Sequence, residues 1–129
     1  MAKECWINLP VKDISKSKEF FKALGFRLNE RFADSDTVAG VVIGGHNSMI
    51  MLFPVETFEG FINAKIADTQ AGTEMLISIS VEDRDEVQEL IHKAANAGGI
   101  VYAEPGERNG MYGAGFCDLD GHRWNLLVM

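Results

Sequence analysis

Three histidines and two cysteines supply all the imidazole and thiol groups of this chain, and their spacing limits the metal chemistry open to it. Cys5 and Cys117 stand far apart with no C-x-x-C pair, so neither a thiolate zinc site nor a disulfide framework can be read from them. Each falls in a strand-like run, where a thiol is expected to be buried as a small hydrophobe. His46 falls in a turn stretch, His92 in a helical pattern and His122 at a hairpin bend. Each is expected to be solvent-exposed or a local hydrogen-bond donor. No Ser-His-Asp or Cys-His arrangement can be read from the spacing, and no glycine-rich stretch has a phosphate-loop pattern. Asn125 stands out, mid-strand in "RWNLLVM". Asn is disfavoured in strands, and burying its amide without partners costs about 1 to 3 kcal/mol. Alternation sets Arg123, Asn125 and Leu127 on one face and Trp124, Leu126 and Val128 on the other, so Asn125 needs something polar, or an open cleft, to face.

The elements around these residues come in two similar sets. "CWINLPV" reads as a strand leading into a helix capped by Asp13 or Ser15, with Ile14, Ser17, Phe21 and Leu24 on its apolar face and Gly25 as its stop. Three strand-like runs follow, 26–33, 37–44 and 47–53. "EMLISISV" is again a strand, followed by a helix with a capping-box pair Asp83 and Glu86, a stripe of Val87, Leu90, Ile91 and Ala94, and a Gly98-Gly99 stop. Strands at 100–104 and 111–117 follow, and "DLDG" turns the chain into the last strand. The order β-α-β-β-β occurs twice, which a duplicated module explains. Between the copies, Phe58, Phe61, Ile62 and Ile66 at helical spacing predict a short connecting helix. The fold class is α+β. The domain plan is one domain over 1–129, with module one at 4–54, a connector at 55–73 and module two at 74–129.

A chain of 129 residues, 47% hydrophobic and 24% charged, fits one compact domain. A formal charge of −7 and the absence of a Lys/Arg cluster argue against nucleic acid as a partner. "MAKECWINLPVKD" lacks a basic-then-apolar signal pattern, and no apolar run approaches the roughly 20 residues that span a bilayer. The expected location is cytoplasmic, with no membrane partner.

Taken in order, "NLPVKDISKSKEFFKALGF", "MIMLF", "LISISVED" and "FCDLDGHRWNL" resemble the vicinal oxygen chelate superfamily. That superfamily holds the glyoxalases, extradiol dioxygenases, fosfomycin-inactivating transferases and bleomycin-resistance proteins. The resemblance covers nearly the whole chain, and the phrasing is most similar to bacterial predicted lactoylglutathione lyases. It implies curved mixed sheets around a cleft. In metal-using members four ligands, usually His, Gln or Glu, come from the first and last strand of each module. Those positions fall here on Trp6, Met51, Leu76 and Asn125, the last where the family pattern has Glu. Indole and isobutyl groups donate nothing, a thioether is soft and an amide is neutral, so neither a metal nor any other cofactor is expected.

Alternation from these positions extends the cleft face to Asn8, Met49, Phe53, Ser78, Ser80, Arg123 and Leu127. Such a mixture suits a small-molecule pocket, although Met and Phe can equally fill the interior of a small closed sheet. The stretch 104–113, "EPGERNGMYG", reads as a loop carrying Glu104, Glu107, Arg108 and Tyr112, either a lid or a solvent-exposed hairpin connection. Tyr112 joins the candidate ligand-binding set.

The function expected is a metal-free, bleomycin-resistance-like protein binding a small organic ligand in a cleft shared within a homodimer. An acidic chain suits a cationic ligand. The alternative is a lyase or glyoxalase-type enzyme using Glu104, Glu107, Tyr112 or Arg123 as acid-base groups. Whether there is turnover stays open, and a structural or interaction protein is a third reading.

Overall fold

The computed structural model describes residues 1–45 and 48–129; His46 and Asn47 lie outside the described residues. The chain divides into two compact units, Met1–Ala67 and Asp68–Met129. The boundary falls inside the stretch read as a connector.

In the first unit, strand β1 (Ile7–Val11) runs into helix α1 (Ile14–Ala23). Asp13 caps α1, its carboxylate accepting from the Lys16 backbone N–H at 3.0 Å. Gly25 ends the helix with a φ of 94° that a Cβ would disfavour. Ile14, Ser17, Phe20, Phe21 and Leu24 are buried, the predicted stripe plus Phe20. The Phe20 and Phe21 rings meet edge to face at 5.1 Å. The next stretch departs from expectation. Only Arg27–Leu28 form strand β2, and Glu30–Phe32 make a 3-10 turn capped by the Asn29 side chain, which accepts from the Arg31 N–H at 2.9 Å. Strands β3 (Ala39–Ile43) and β4 (Ser48–Pro54) complete a sheet of order β1-β4-β3-β2, in which β1 and β4 are parallel. Leu9, Val11, Ala39, Val41, Ile50 and Leu52 are buried on one face, the face that α1 covers. Helix α2 (Val55–Ile62) follows where apolar spacing predicts it.

The second unit repeats the plan. Strand β5 (Leu76–Val81), helix α3 (Arg84–Asn96) and strands β6 (Ile100–Arg108), β7 (Met111–Cys117) and β8 (Arg123–Val128) form a sheet of order β5-β8-β7-β6, with β5 and β8 parallel. Asp83 caps α3 through the Glu86 N–H, and the Glu86 carboxylate returns a bond to the Glu82 N–H. Ala114, Phe116, Trp124 and Leu126 are buried together with Val87, Ile91 and Ala94 of α3. The Phe116 and Trp124 rings stack at 6.0 Å, 5° from parallel. Burying each such aromatic is worth about 1.5 to 3 kcal/mol. Both units are α+β, each a four-stranded mixed sheet with the β-α-β-β-β order expected.

The 104–113 stretch is not a loop. β6 extends to Arg108 and pairs with β7 through a two-residue turn at Asn109 and Gly110, whose φ values are 53° and 81°. That is the turn geometry whose twist suits a tight hairpin. Irregular register between Ala103 and Gly106 accommodates Pro105, and Gly106 pairs again with Gly113.

Candidate functional site

Each sheet has one helix-covered face and one open face. On the first, strand alternation sends Asn8 of β1, Gly40 and Val42 of β3, and Met49, Met51 and Phe53 of β4 to the open side; Asn8 pairs in register with Met51, and Gly40 with Met51 on its other flank. Trp6 lies one residue before β1 and is 56% exposed. Gly40 determines how close the thioethers come to the backbone. A Cβ there would lie 2.9 Å from the Met49 sulfur and 3.3 Å from that of Met51, so the missing side chain is what lets both methionines lie flat. The Asn29 amide donates to the Met49 sulfur at 3.6 Å.

Over this floor lies a cleft of about 820 Å³, lined by Lys3, Glu4, Cys5, Trp6, Asn29, Arg31, Phe32, Met49, Met51 and Phe53. Its size falls within the range of small-molecule sites, and its lining is aromatic and thioether with an amide and a guanidinium at the edge. The Phe53 ring meets Phe61 of α2 edge to face at 5.0 Å. Trp6, Met49, Met51 and Phe53 are therefore brought together, with Asn8 beside Met51. Asn29, Arg31 and Phe32 were missed because "FRLNERF" alternates like a strand. The signal available was Asn29 itself, a residue that caps its own backbone ahead of Glu-Arg. Cys5 is exposed, contrary to the buried thiol expected, because the strand starts two residues later than the run of apolar residues suggests.

On the second sheet Leu76, Ser78 and Ser80 of β5 stand opposite Arg123, Asn125 and Leu127 of β8. Asn125 is answered locally: its amide donates to the Ser78 hydroxyl at 3.1 Å. Arg123 donates through Nε to the Thr73 hydroxyl at 3.0 Å, and its guanidinium lies 4.5 Å over the Tyr102 ring. Tyr102 reaches across from β6 because Gly115 offers no Cβ; one there would collide with the tyrosine ring. The Tyr102 hydroxyl donates to the Trp124 carbonyl at 3.1 Å. Burial pushes the Tyr102 phenol above its ordinary value, against the pull of Arg123. Burial likewise raises the Cys117 thiol, which suits an inert core thiol rather than a nucleophile.

Tyr112 stands apart from this group. Its hydroxyl accepts from the Gln88 amide at 2.7 Å and its ring lies 4.5 Å under the Arg84 guanidinium. Both partners belong to α3, so Tyr112 is on the helix-covered face. Glu107 is there too, 3.5 Å from Arg84. The misplacement follows from reading 104–113 as a loop, which hid the strand alternation.

The turn before β8 is held by Asp118, whose carboxylate accepts from the Asp120 and His122 N–H groups at 3.0 Å and from the Trp124 indole at 3.1 Å. Burial holds this carboxyl above its usual range, opposed by His122 and by these hydrogen bonds. His92 is exposed and pairs with Asn96 at 3.0 Å.

Trp6, Met51, Leu76 and Asn125 offer between them one soft thioether and one neutral amide. Such a set does not fit a divalent cation. Among the described residues no group of three His, Cys, Asp or Glu side chains could hold a metal ion, and no helix is long and apolar enough to cross a membrane.

Residues 4–44 match a family model described as bleomycin resistance protein-like N-terminal. A hypothetical protein, SA1046, from S. aureus is 37% identical, over 100% of this chain and 95% of its own, with a TM-score of 0.90. A glyoxalase/bleomycin resistance protein/dioxygenase family enzyme from Burkholderia phytofirmans is 21% identical, covering 98% of each chain with a TM-score of 0.80. A glyoxalase-related enzyme from Fulvimarina pelagi is 17% identical over 100% of this chain and 89% of that one, with a TM-score of 0.82. No protein of curated function matches. With the doubled β-α-β-β-β sheets and these solved structures together, the chain has the vicinal oxygen chelate fold, the fold of the glyoxalase/bleomycin resistance/dioxygenase proteins it is similar to.

Proposed function

We propose that the protein binds a small organic ligand, without a metal, against the open face of its first sheet, and that it works as a cytoplasmic homodimer. The observation that carries the reading is the 820 Å³ cleft floored by Met49 and Met51 and walled by Trp6 and Phe53. Thioethers and aromatic rings offer polarisable contact area to a flat organic molecule, and Asn29 and Arg31 supply polar groups to orient it. Trp6 at 56% exposed leaves an indole face for a ligand to cover. Exposed Ile7, Leu76 and Ile100 offer apolar surface for a second copy of the chain. The enzyme reading loses two of its acid-base candidates, since Tyr112 and Glu107 are engaged with α3.

A screen of small aromatic compounds read by tryptophan emission tests the proposal. Trp124 is fully buried and supplies a constant background. Hits are expected to shift emission in the native protein and to lose that signal in Trp6→Phe. Responses that survive Trp6→Phe unchanged would contradict it.

A further inference from the structure

The polar side of the first-unit cleft is built on the 3-10 turn that follows β2. Asn29 joins that turn to the thioether floor: its side-chain oxygen accepts from the Arg31 N–H at 2.9 Å, while its amide donates to the Met49 sulfur at 3.6 Å. One side chain thus ties the backbone of the cation to the floor. The Arg31 guanidinium lies 5.7 Å over the ring of Phe32, and both residues line the cleft. The other charged residues of the lining are Lys3 and Glu4. Among the described residues the ion pairs are Lys65 with Glu59, Arg84 with Glu107 and Lys93 with Glu89, so Glu4 neutralises neither cation by direct contact. Two positive groups against one negative leave the lining with a surplus of one positive charge, in a chain whose formal charge is −7. The cleft is positive where the chain as a whole is negative.

We infer that the cleft takes a planar aromatic carboxylate, its ring system laid on Met49 and Met51 and its anionic group received by Arg31. The inference rests on the ligand-binding reading above and narrows it to an organic acid. Thioethers and the Trp6 and Phe53 rings offer contact to any flat apolar surface, so they do little to choose between charge states. That choice falls to the charged groups. A guanidinium that packs against an aromatic face still has its N–H edge to donate, and its paired donors match the two oxygens of a carboxylate. Lys3 adds a second positive group to the lining, which favours an anion through the field of the cleft rather than through a shaped contact. A surplus of one charge balances a carboxylate and leaves a doubly charged phosphate half unanswered. At about 820 Å³ the cleft holds a fused bicyclic acid with room to spare. The acidic balance of the chain, which by itself suits a cationic ligand, is reversed here.

The test compares 2-naphthoate, its neutral counterpart 2-naphthamide, the cation 2-naphthylmethylammonium and 2-naphthyl phosphate on the full chain. Affinity is read by calorimetry, and location by the ¹³C-methyl signals of Met49 and Met51. Naphthoate is expected to shift both methionines and to bind at least about tenfold more tightly than the amide or the cation, the worth of one charge-assisted contact. Arg31→Leu should bring acid and amide to equal affinity. Arg31→Lys, which keeps the charge but not the fork, should recover only part of the preference, and Glu4→Gln should raise it by removing the one like charge in the lining. Variants whose free Met49 and Met51 signals stay in place have an intact floor, so a preference lost in them reports on the charge alone. Equal affinity for acid and amide in the native protein overturns the inference, as does a preference for the cation, or one for the acid that persists in folded Arg31→Leu. Binding of the phosphate about tenfold tighter than naphthoate overturns the carboxylate assignment. Were all four to shift Met49 and Met51 without regard to charge, this inference would fail and the cleft reading stand. A preference for the acid with neither methionine moved would overturn the placement of the ring and the cleft reading with it. Binding of none of the four overturns this inference and leaves the cleft reading to the Trp6 screen.

Discussion

Gly115 shows how one absent side chain can organise a face. Tyr102 occupies the space a Cβ would take and in turn carries Arg123. Gly115→Ala should displace the ring and lower stability by about 1 to 3 kcal/mol. Urea denaturation would check this; an alanine variant as stable as the native protein would show that the tyrosine does not depend on the gap. Asp118 gives a pH prediction. Burial holds its carboxyl above the ordinary value of 3.8, so the folded state retains a proton that the unfolded chain has already released. Stability therefore falls as pH rises from the ordinary value through the folded one, and this contribution is flat above it. Asp118→Asn cannot titrate, and it sets an amide donor against the Trp124 indole or the turn N–H groups, costing about 1 to 3 kcal/mol. The gap between variant and native protein should narrow as pH rises through that interval. Parallel stability curves would refute the assignment.

At the level of elements, the 3-10 turn and the residues after it are pinned by Lys18 of α1. Its ammonium donates to the Phe32 carbonyl at 2.8 Å, to that of Ala33 at 3.2 Å, and to that of Ser35. Lys18→Met should cost about 2 kcal/mol and weaken cleft ligands, because Arg31 and Phe32 lose their support. Lowered stability with unchanged affinity would separate the turn from the site. The sequence made α1 and α3 readable because cap, apolar stripe and glycine stop agree. It hid the segment around Asn29 because three polar and apolar alternations imitate a strand. It hid the end of β6 because Pro105 and Gly106 argue against a strand, yet β6 lies at the sheet edge, where a proline need not donate to a neighbour. Asn109-Gly110 was the overlooked hairpin signal. The open faces followed from alternation alone, so Trp6, Met49, Met51, Phe53, Ser78, Arg123 and Asn125 were legible. Tyr102 was not, because irregular register on β6 changes which way a side chain points.

For the whole molecule, the donor set at Trp6, Met51, Leu76 and Asn125 and the ligand-binding proposal lead to one expectation for native mass spectrometry. After incubation with nickel, zinc, manganese or iron, the protein should appear as a dimer without stoichiometric metal. One metal per subunit, lost in Asn125→Ala, would overturn the metal-free reading; a monomer at all accessible concentrations would overturn the dimer.

The claim that the open face of the first sheet is the binding site is tested most directly by labelling the methyl groups of the six methionines with ¹³C. Titration with the tightest compound from the Trp6 screen should shift Met49 and Met51 saturably, with the dissociation constant read from Trp6 emission, and leave Met1 and Met129 in place. Saturation of the Trp6 signal with Met49 and Met51 unmoved would contradict it.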